Sequence, residues 1–327
     1  MEEEIEREWE DDEIQNESVE EEEDFLVLNK PELETVLTHK EACECLHTLG
    51  KIDSGFGYAY LGLNASNKLL TDIGVIPTFK HVIFVNVSGN NLKSESLQVL
   101  EKMTYLLMLQ ADNCKLNSII LKPMAHLQVL TLNKNKLSNT FGIEHPTLER
   151  LELQRNKIST VTLNASGLKR LQFLDLSFNK LESTYGISCP NLTHVYLAGN
   201  KIKKIEGLGT LVNLRVLHLR NNRISNLDGF TSNCPLKYLN LRKNRIDKIS
   251  EIEKLNCLSS LEVLLLMQNP LAELEETQED STYRLKILSM LINLKRIDKD
   301  PVLNQERTEA RDLLNESDTR DNNSLDE

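Results

Sequence analysis

Few residues in this chain are placed to do covalent chemistry. His194 and Asp175 carry the types needed for general acid–base work, but no nucleophile accompanies them and nothing nearby implies a deep pocket. Cys43 and Cys45 are separated by one residue, where a zinc knuckle needs two, and no second ligand pair lies close by. No glycine-rich phosphate loop is present, since Gly207-Leu-Gly209 lies within a convex stretch of the repeats described below. No cofactor and no metal are expected, and the protein reads as a non-enzyme. The residues that stand out are suited to contact: Phe173, Phe178, Tyr196, His218 and Tyr238, with Arg220 and Arg242 among them. Rings and guanidinium groups anchor protein interfaces through large desolvated areas and forked hydrogen bonding. Plain strand preference is the competing explanation for the rings, since aromatics suit a pleated surface in any case.

These residues belong to a repeating frame. Aliphatic positions spaced LxxLxL, followed by xxNxL, recur nine times, with copies starting at residues 82, 106, 127, 148, 171, 192, 214, 236 and 261. The asparagine position holds Asn90, Asn135, Asn156, Asn179, Asn200, Asn222, Asn244 and Asn269, with Cys114 in the one exception. A period near 22 residues is the leucine-rich repeat signature, and each position has a physical reason. The xLxLx segment forms a short strand with its leucines inward, and neighbouring copies pair in parallel. The following turn leaves backbone groups that must be satisfied, which a side-chain amide can do from both its ends. Cys114 offers only a weak donor there, so its coil is expected to be looser. Ile202, Ile205, Leu208, Leu211 and Leu214 recur every third residue, which suits a 3₁₀ or irregular convex side. The fold class is therefore α/β: a leucine-rich repeat solenoid with a curved parallel β-sheet on its concave side, capped at both ends. Its short repeats resemble those of the phosphatase-1 regulator called suppressor of dis2.

In each copy positions three, five and seven face the concave surface, which gathers the rings and arginines named above. Position ten carries Lys115, Lys136, Lys157, Lys180, Lys201, Arg223 and Arg245 in seven successive copies. With coils about 4.8 Å apart, these cations form a row along one edge and favour partners with acidic surface.

Charge marks the boundaries. Residues 1 to 24 hold 15 acids against Arg7, and residues 303 to 327 hold eight acids and three bases, leaving a body with a surplus of bases inside a chain of net charge -12. The expected organisation is an acidic disordered tail over 1–30 and a helical cap with a degenerate first repeat over 31–80. Nine repeats follow over 81–272, then a cap over 273–310 and an acidic tail over 311–327. Trp9, the only tryptophan, lies in the first tail, where it makes a poor core residue and reads as an idle exposed ring rather than a docking anchor. Thr38-His39-Lys40-Glu41 is a capping box opening a helix over about 38–49 that Gly50 ends. The second cap is built from Tyr283-Arg284, Ile287, Leu291, Leu294, Ile297-Asp298, Val302 and Glu306-Arg307. No run approaches the roughly 18 apolar residues of a membrane span, and the acidic start is unlike a secretory signal. Six cysteines are too few for a disulfide framework at this length and read as small buried thiols in a reducing compartment.

Several stretches go beyond the generic repeat: LTDIGVI (70–76), GIEHPTLERLELQRNKI (142–158), LESTYGISCPNLTHVYLAGNKIKKIEGL (181–208), LHLRNNRISNLDGF (217–230) and YLNLRKNRI (238–246). They resemble the leucine-rich repeat-containing protein 23 family over roughly residues 31 to 310, the GI(S/E)xPxL connectors at Gly142 and Gly186 being the most specific. That resemblance implies a radial-spoke component of motile cilia and sperm flagella, with other radial-spoke proteins as partners, at or near a spoke head. It implies a location in the cytoskeleton of the axoneme. No nucleic acid and no membrane are expected as partners. A regulatory subunit of protein phosphatase 1 and a spliceosomal adaptor are the alternative readings; neither accounts for the connectors.

Overall fold

The strand of each repeat is three residues long because only the LxL core alternates inward and outward before the turn. The computed structural model describes residues 34–52, 57–272 and 283–323, with side chains to residue 313. Thr35–Glu327 forms one contact unit; the acidic segment with Trp9 lies outside the described residues. The strands are β1 (Leu46–Lys51), β2 (Tyr58–Asn64), β3 (Phe84–Asn86), β4 (Met108–Gln110), β5 (Val129–Thr131), β6 (Arg150–Glu152), β7 (Leu163–Asn164) and β8 (Phe173–Asp175). They continue as β9 (Ile187–Ser188), β10 (His194–Tyr196), β11 (Val216–His218), β12 (Tyr238–Asn240), β13 (Val263–Leu265), β14 (Arg296–Ile297) and β15 (Asp300–Pro301). Thirteen of them make one sheet, parallel from β2 to β14, while β7 and β9 pair separately.

The register aligns the central residue of every repeat strand: Val85, Leu109, Leu130, Leu151, Leu174, Val195, Leu217, Leu239 and Leu264. All nine are at most 1% exposed. Burying one such side chain stabilises the coil by about 1.5–3 kcal/mol, so the column forms the core's spine. The convex side is made of short pieces, as the period of three requires. These are 3₁₀ turns at Ile76–Thr78, Gln98–Lys102, Leu208–Thr210 and Lys254–Cys257, and single-turn helices α2 (Ser94–Leu97) and α3 (Ser250–Glu253).

The first cap differs from expectation. Helix α1 covers only His39–Glu44, although its capping box is complete: Glu41 N–H donates to Thr38 Oγ1 (3.3 Å) and Thr38 N–H to Glu41 Oε2 (2.9 Å). From Leu46 the chain is extended, and β1 pairs antiparallel with β2. A helix through 49 would have left the outer backbone groups of β2 without partners, and a hairpin strand supplies them. Leu49 and Tyr58 are consequently exposed, while Leu63, Leu70 and Ile73 of the first, irregular repeat are buried.

At the other end, α4 (Tyr283–Met290) and α5 (Asn304–Asn323) flank the β14–β15 hairpin. Arg284 holds them together, donating to Glu306 (2.7 Å), to the Ile297 carbonyl (3.0 Å) and to the Pro301 carbonyl (3.2 Å). Arg307 donates to the carbonyls of Ile292 (2.7 Å) and Leu294 (2.5 Å). Asp298 accepts from the Leu266 and Met267 amides (2.6 and 2.9 Å), closing the turn that no further asparagine could close. Helix α5 runs past 310 into the segment expected as a tail, because no glycine or proline interrupts it there.

Candidate protein-binding surfaces

The concave surface depends on the turns that hold its strands in register. At Asn135, Nδ2 donates to the carbonyls of Ala111 (2.9 Å) and Leu132 (3.0 Å), while Oδ1 accepts from the Cys114 and Leu116 amides (2.9 and 3.0 Å). Asn90, Asn156, Asn179, Asn200, Asn222, Asn244 and Asn269 repeat the pattern one coil after another, and all eight are at most 7% exposed. Cys114 reproduces half of it. Its thiol donates to the Val87 carbonyl (3.2 Å), but the Leu92 amide finds no acceptor among the described residues. A buried thiol is a poor acceptor, and burial pushes its pKa up to about 11.

On this frame four rings form a continuous row. Phe173 lies 5.1 Å from Tyr196, Tyr196 4.3 Å from His218 with planes 13° apart, and His218 4.9 Å from Tyr238. Such separations are those of favourable offset stacking. The rings come from β8, β10, β11 and β12, at positions three, five, five and three. His194, level with Phe173 in register, stacks on it at 6.3 Å. The guanidinium of Arg150, next door on β6, sits 3.6 Å from the Phe173 centroid and is held there by Glu152 (2.6 Å). Arg150 was not singled out by residue type. Its place at position three, beside Phe173, was the available signal.

The expected contact residues are not equivalent. Phe173, His194, Tyr196 and Arg220 are half-buried, but His218, Tyr238 and Arg242 are 5%, 2% and 8% exposed. Tyr196, His218, Arg220, Tyr238 and Arg242 all carry further contacts, so the three buried side chains are part of the face's support rather than its outer surface. Phe178 is separate from the row. It follows its strand at φ 58°, in the turn, under Arg155 (4.8 Å) and over Gly199.

His194 and Asp175 are not brought together. Register places Asp175 opposite Tyr196 rather than His194, and its carboxylate accepts from Gln154 and from the Ser177 amide (2.8 Å). Burial raises its pKa, with those hydrogen bonds opposing. Among the described residues no group of three His, Cys, Asp or Glu side chains could hold a metal, and no helix is long and apolar enough to cross a membrane.

The position-ten cations form a second surface. Lys115, Lys136, Lys157, Lys180, Lys201, Arg223 and Arg245 are all exposed. Their spacing is enforced by backbone bonds from each residue to the carbonyl after its predecessor, among them Lys136 to Leu116, Lys157 to Leu137, Lys180 to Ile158 and Lys201 to Leu181 (2.8–2.9 Å).

The x-Pro connectors also have a structural role that composition did not suggest. His145, Cys189 and Cys234, each before a proline, are buried against the preceding coil. His145 Nδ1 accepts from the Met124 amide (3.1 Å). Gly142 and Gly186 have φ of 82° and 90°, and a Cβ on either would meet the carbonyl of Ile119 or Val161.

Comparison with known proteins agrees with this architecture. The family described as "Leucine Rich repeats (2 copies)" matches residues 190–232, and that described as "Leucine rich repeat" matches residues 212–271. Among solved structures, the leucine-rich repeat domain of APL1B superposes with a TM-score of 0.54 at 18% identity, covering 73% of this chain and 68% of that one. The functional domain of InlJ from Listeria monocytogenes gives 0.52 at 19% identity, covering 76% of this chain and 56% of that one. These likenesses concern the fold. Sequence relatives are nearer. Leucine-rich repeat-containing protein 23 of Homo sapiens is 38% identical over 280 residues, which is 85% of this chain and 79% of the relative. The Bos taurus protein of the same description is 37% identical over 283 residues, 86% of this chain and 80% of the relative. With identity at that level along most of both chains, this protein belongs to the leucine-rich repeat-containing protein 23 family.

Proposed function

We propose that the protein is a non-enzymatic binding scaffold of the axonemal radial spoke, acting in the head region of the spoke in motile cilia or flagella. Two things support the reading: membership of the family whose connectors the sequence carries, and a repeat surface built for contact. The observation that carries it is the row Arg150, Phe173, Tyr196, His218 and Tyr238, which spans five neighbouring strands without a break. A preformed row of stacked side chains has little conformational entropy left to lose when a partner covers it. Its half-buried members, Phe173 and Tyr196, are the ones a partner protein meets, with Arg220 beside them for acidic groups. Buried His218 and Tyr238 brace them from the adjoining strands.

The test is to express a tagged copy in a ciliated cell. Axonemal location and co-precipitation of spoke proteins are expected, with Phe173→Ala plus Tyr196→Ala reducing capture. Undiminished capture by that double variant refutes the concave site. A nuclear copy, or one that captures the phosphatase-1 catalytic subunit instead, refutes the spoke assignment.

A further inference from the structure

The flank of the solenoid between the asparagine turn and the convex side carries a feature that the concave reading leaves unused. Seven cations stand there in successive coils, and among the described residues none of the seven is paired with a carboxylate. Acids on this flank are few: Glu182 pairs with Lys203 (3.9 Å), Asp228 pairs with Lys254 (2.9 Å), and Asp247 is exposed two residues beyond Arg245. Five residues beyond Lys136 and Lys180 the same flank exposes two rings, Phe141 at 76% and Tyr185 at 73%. Both rings occupy the same place in their connectors, just before the positive-φ glycines Gly142 and Gly186. Bonds between neighbouring coils continue along this path, as in the bridges Asn139 to Thr160 and Ser183 to Lys204. The rings and the cations are thus parts of one ordered surface.

The spacings select a shape of ligand. Strands about 4.8 Å apart put roughly 29 Å between the first and last cation and about 10 Å between rings two coils apart. An α-helix with one stripe of side chains at i, i+3, i+7 and i+10 advances about 5.3 Å per stripe position, and i to i+7 is about 10.5 Å. Over seven sites the accumulated difference is about 3 Å, within the reach of flexible lysine stems. An extended peptide presents alternate side chains every 6.6 Å or so and falls out of step within two or three coils. Each ring stands five residues from its cation, at most about 17 Å along the chain, a width that a helix about 10–12 Å across spans together with the reach of the lysine stems and the rings.

We propose that this flank is a docking track for an acidic amphipathic helix of a partner protein, lying along the solenoid with a stripe of carboxylates over the seven cations and apolar residues at i and i+7 on Phe141 and Tyr185. This site is distinct from the concave face, and co-precipitation by concave variants neither supports nor opposes it.

The experiment uses the full chain and a labelled synthetic helix of 24 residues, with glutamate on the i, i+3, i+7 stripe and leucine on the adjoining one, read by fluorescence anisotropy. A scrambled peptide of the same composition and a single-stranded RNA of equal charge serve as comparisons. Binding that weakens with salt is expected. The triple reversal Lys157→Glu, Lys180→Glu and Lys201→Glu is expected to weaken it at least about tenfold, since like charges are then juxtaposed. Phe141→Ser with Tyr185→Ser is expected to weaken the ordered peptide while leaving the scrambled one unchanged. All five positions are exposed, and unchanged circular dichroism separates loss of binding from loss of fold. The proposal is overturned if the patterned helix does not bind, if the scrambled peptide binds equally well, or if the RNA binds more tightly than either.

Discussion

His145 is a proton-sensitive weak point of the middle repeats. Its ring is completely buried, and desolvation lowers its pKa from 6.5 to about 4. Nδ1 accepts from the Met124 amide, so protonation would break that bond as well as place a charge in the core. The folded protein therefore keeps the ring neutral down to about pH 4, while the unfolded chain takes up a proton below 6.5. This contribution to stability is unaffected above pH 6.5, falls as the pH drops through that value, and is fully lost below about 4. The depression converts to about 3 kcal/mol in full, and to about 2 kcal/mol at pH 5. Burial raises the pKa of Asp112, Asp175 and Asp298, which opposes this trend by favouring the folded state as acid is added. The informative quantity is therefore the difference between the protein and His145→Asn, whose Oδ1 can accept from the same amide without titrating. Urea unfolding followed by circular dichroism at pH 7.5 and pH 5.0 measures it. The parent should lose about 2 kcal/mol more than the variant between the two values. Parallel curves would show that the ring is not held neutral by the fold, and the reasoning would fail.

Other expectations concern the coil-to-coil bonds. Asn200→Ala removes one of two amide donors from each of the Leu176 and Leu197 carbonyls and the acceptor of the Leu181 amide, and should cost about 2 kcal/mol or more in urea melts. Cys114→Asn supplies the missing acceptor for the Leu92 amide and should stabilise by about 1 kcal/mol, with slower hydrogen exchange at that amide. Gly186→Ala places a methyl group against the Val161 carbonyl at a φ of 90°, so its melting midpoint should fall by the equivalent of about 2 kcal/mol or more. Arg150→Ala removes the cation over Phe173 and should leave stability within about 0.5–1 kcal/mol while loosening the ring in NMR relaxation.

Legibility in the sequence followed repetition. Leu130, Leu151 and Leu174 announce strands together because the same slot recurs, and the asparagine turns could be assigned a role before any coordinates because only an amide both donates and accepts there. Leu46 and Leu49 have no second copy. Their spacing fits a helix, and only the open edge of β2, a tertiary demand, makes them a strand. The rings could be assigned to one face by position, but not their stacking, which needs the register, nor the burial of Tyr238 and Arg242, which no local pattern carries. His145 is inconspicuous in the sequence for a related reason. Its slot recurs every second coil and is filled by cysteine in the other two places, Cys189 and Cys234, so side-chain chemistry hid a shared position that the following prolines mark.

Both margins of the parallel sheet end in antiparallel hairpins, β1 with β2 and β14 with β15. A stack of identical coils would otherwise be a template for its own extension, each terminal strand recruiting another molecule into a growing filament. Turning the chain back on itself at either margin fixes the number of rungs and makes the array a ruler of set length. A partner protein is then left the broad sides of the array to dock on, rather than the margins of its sheet.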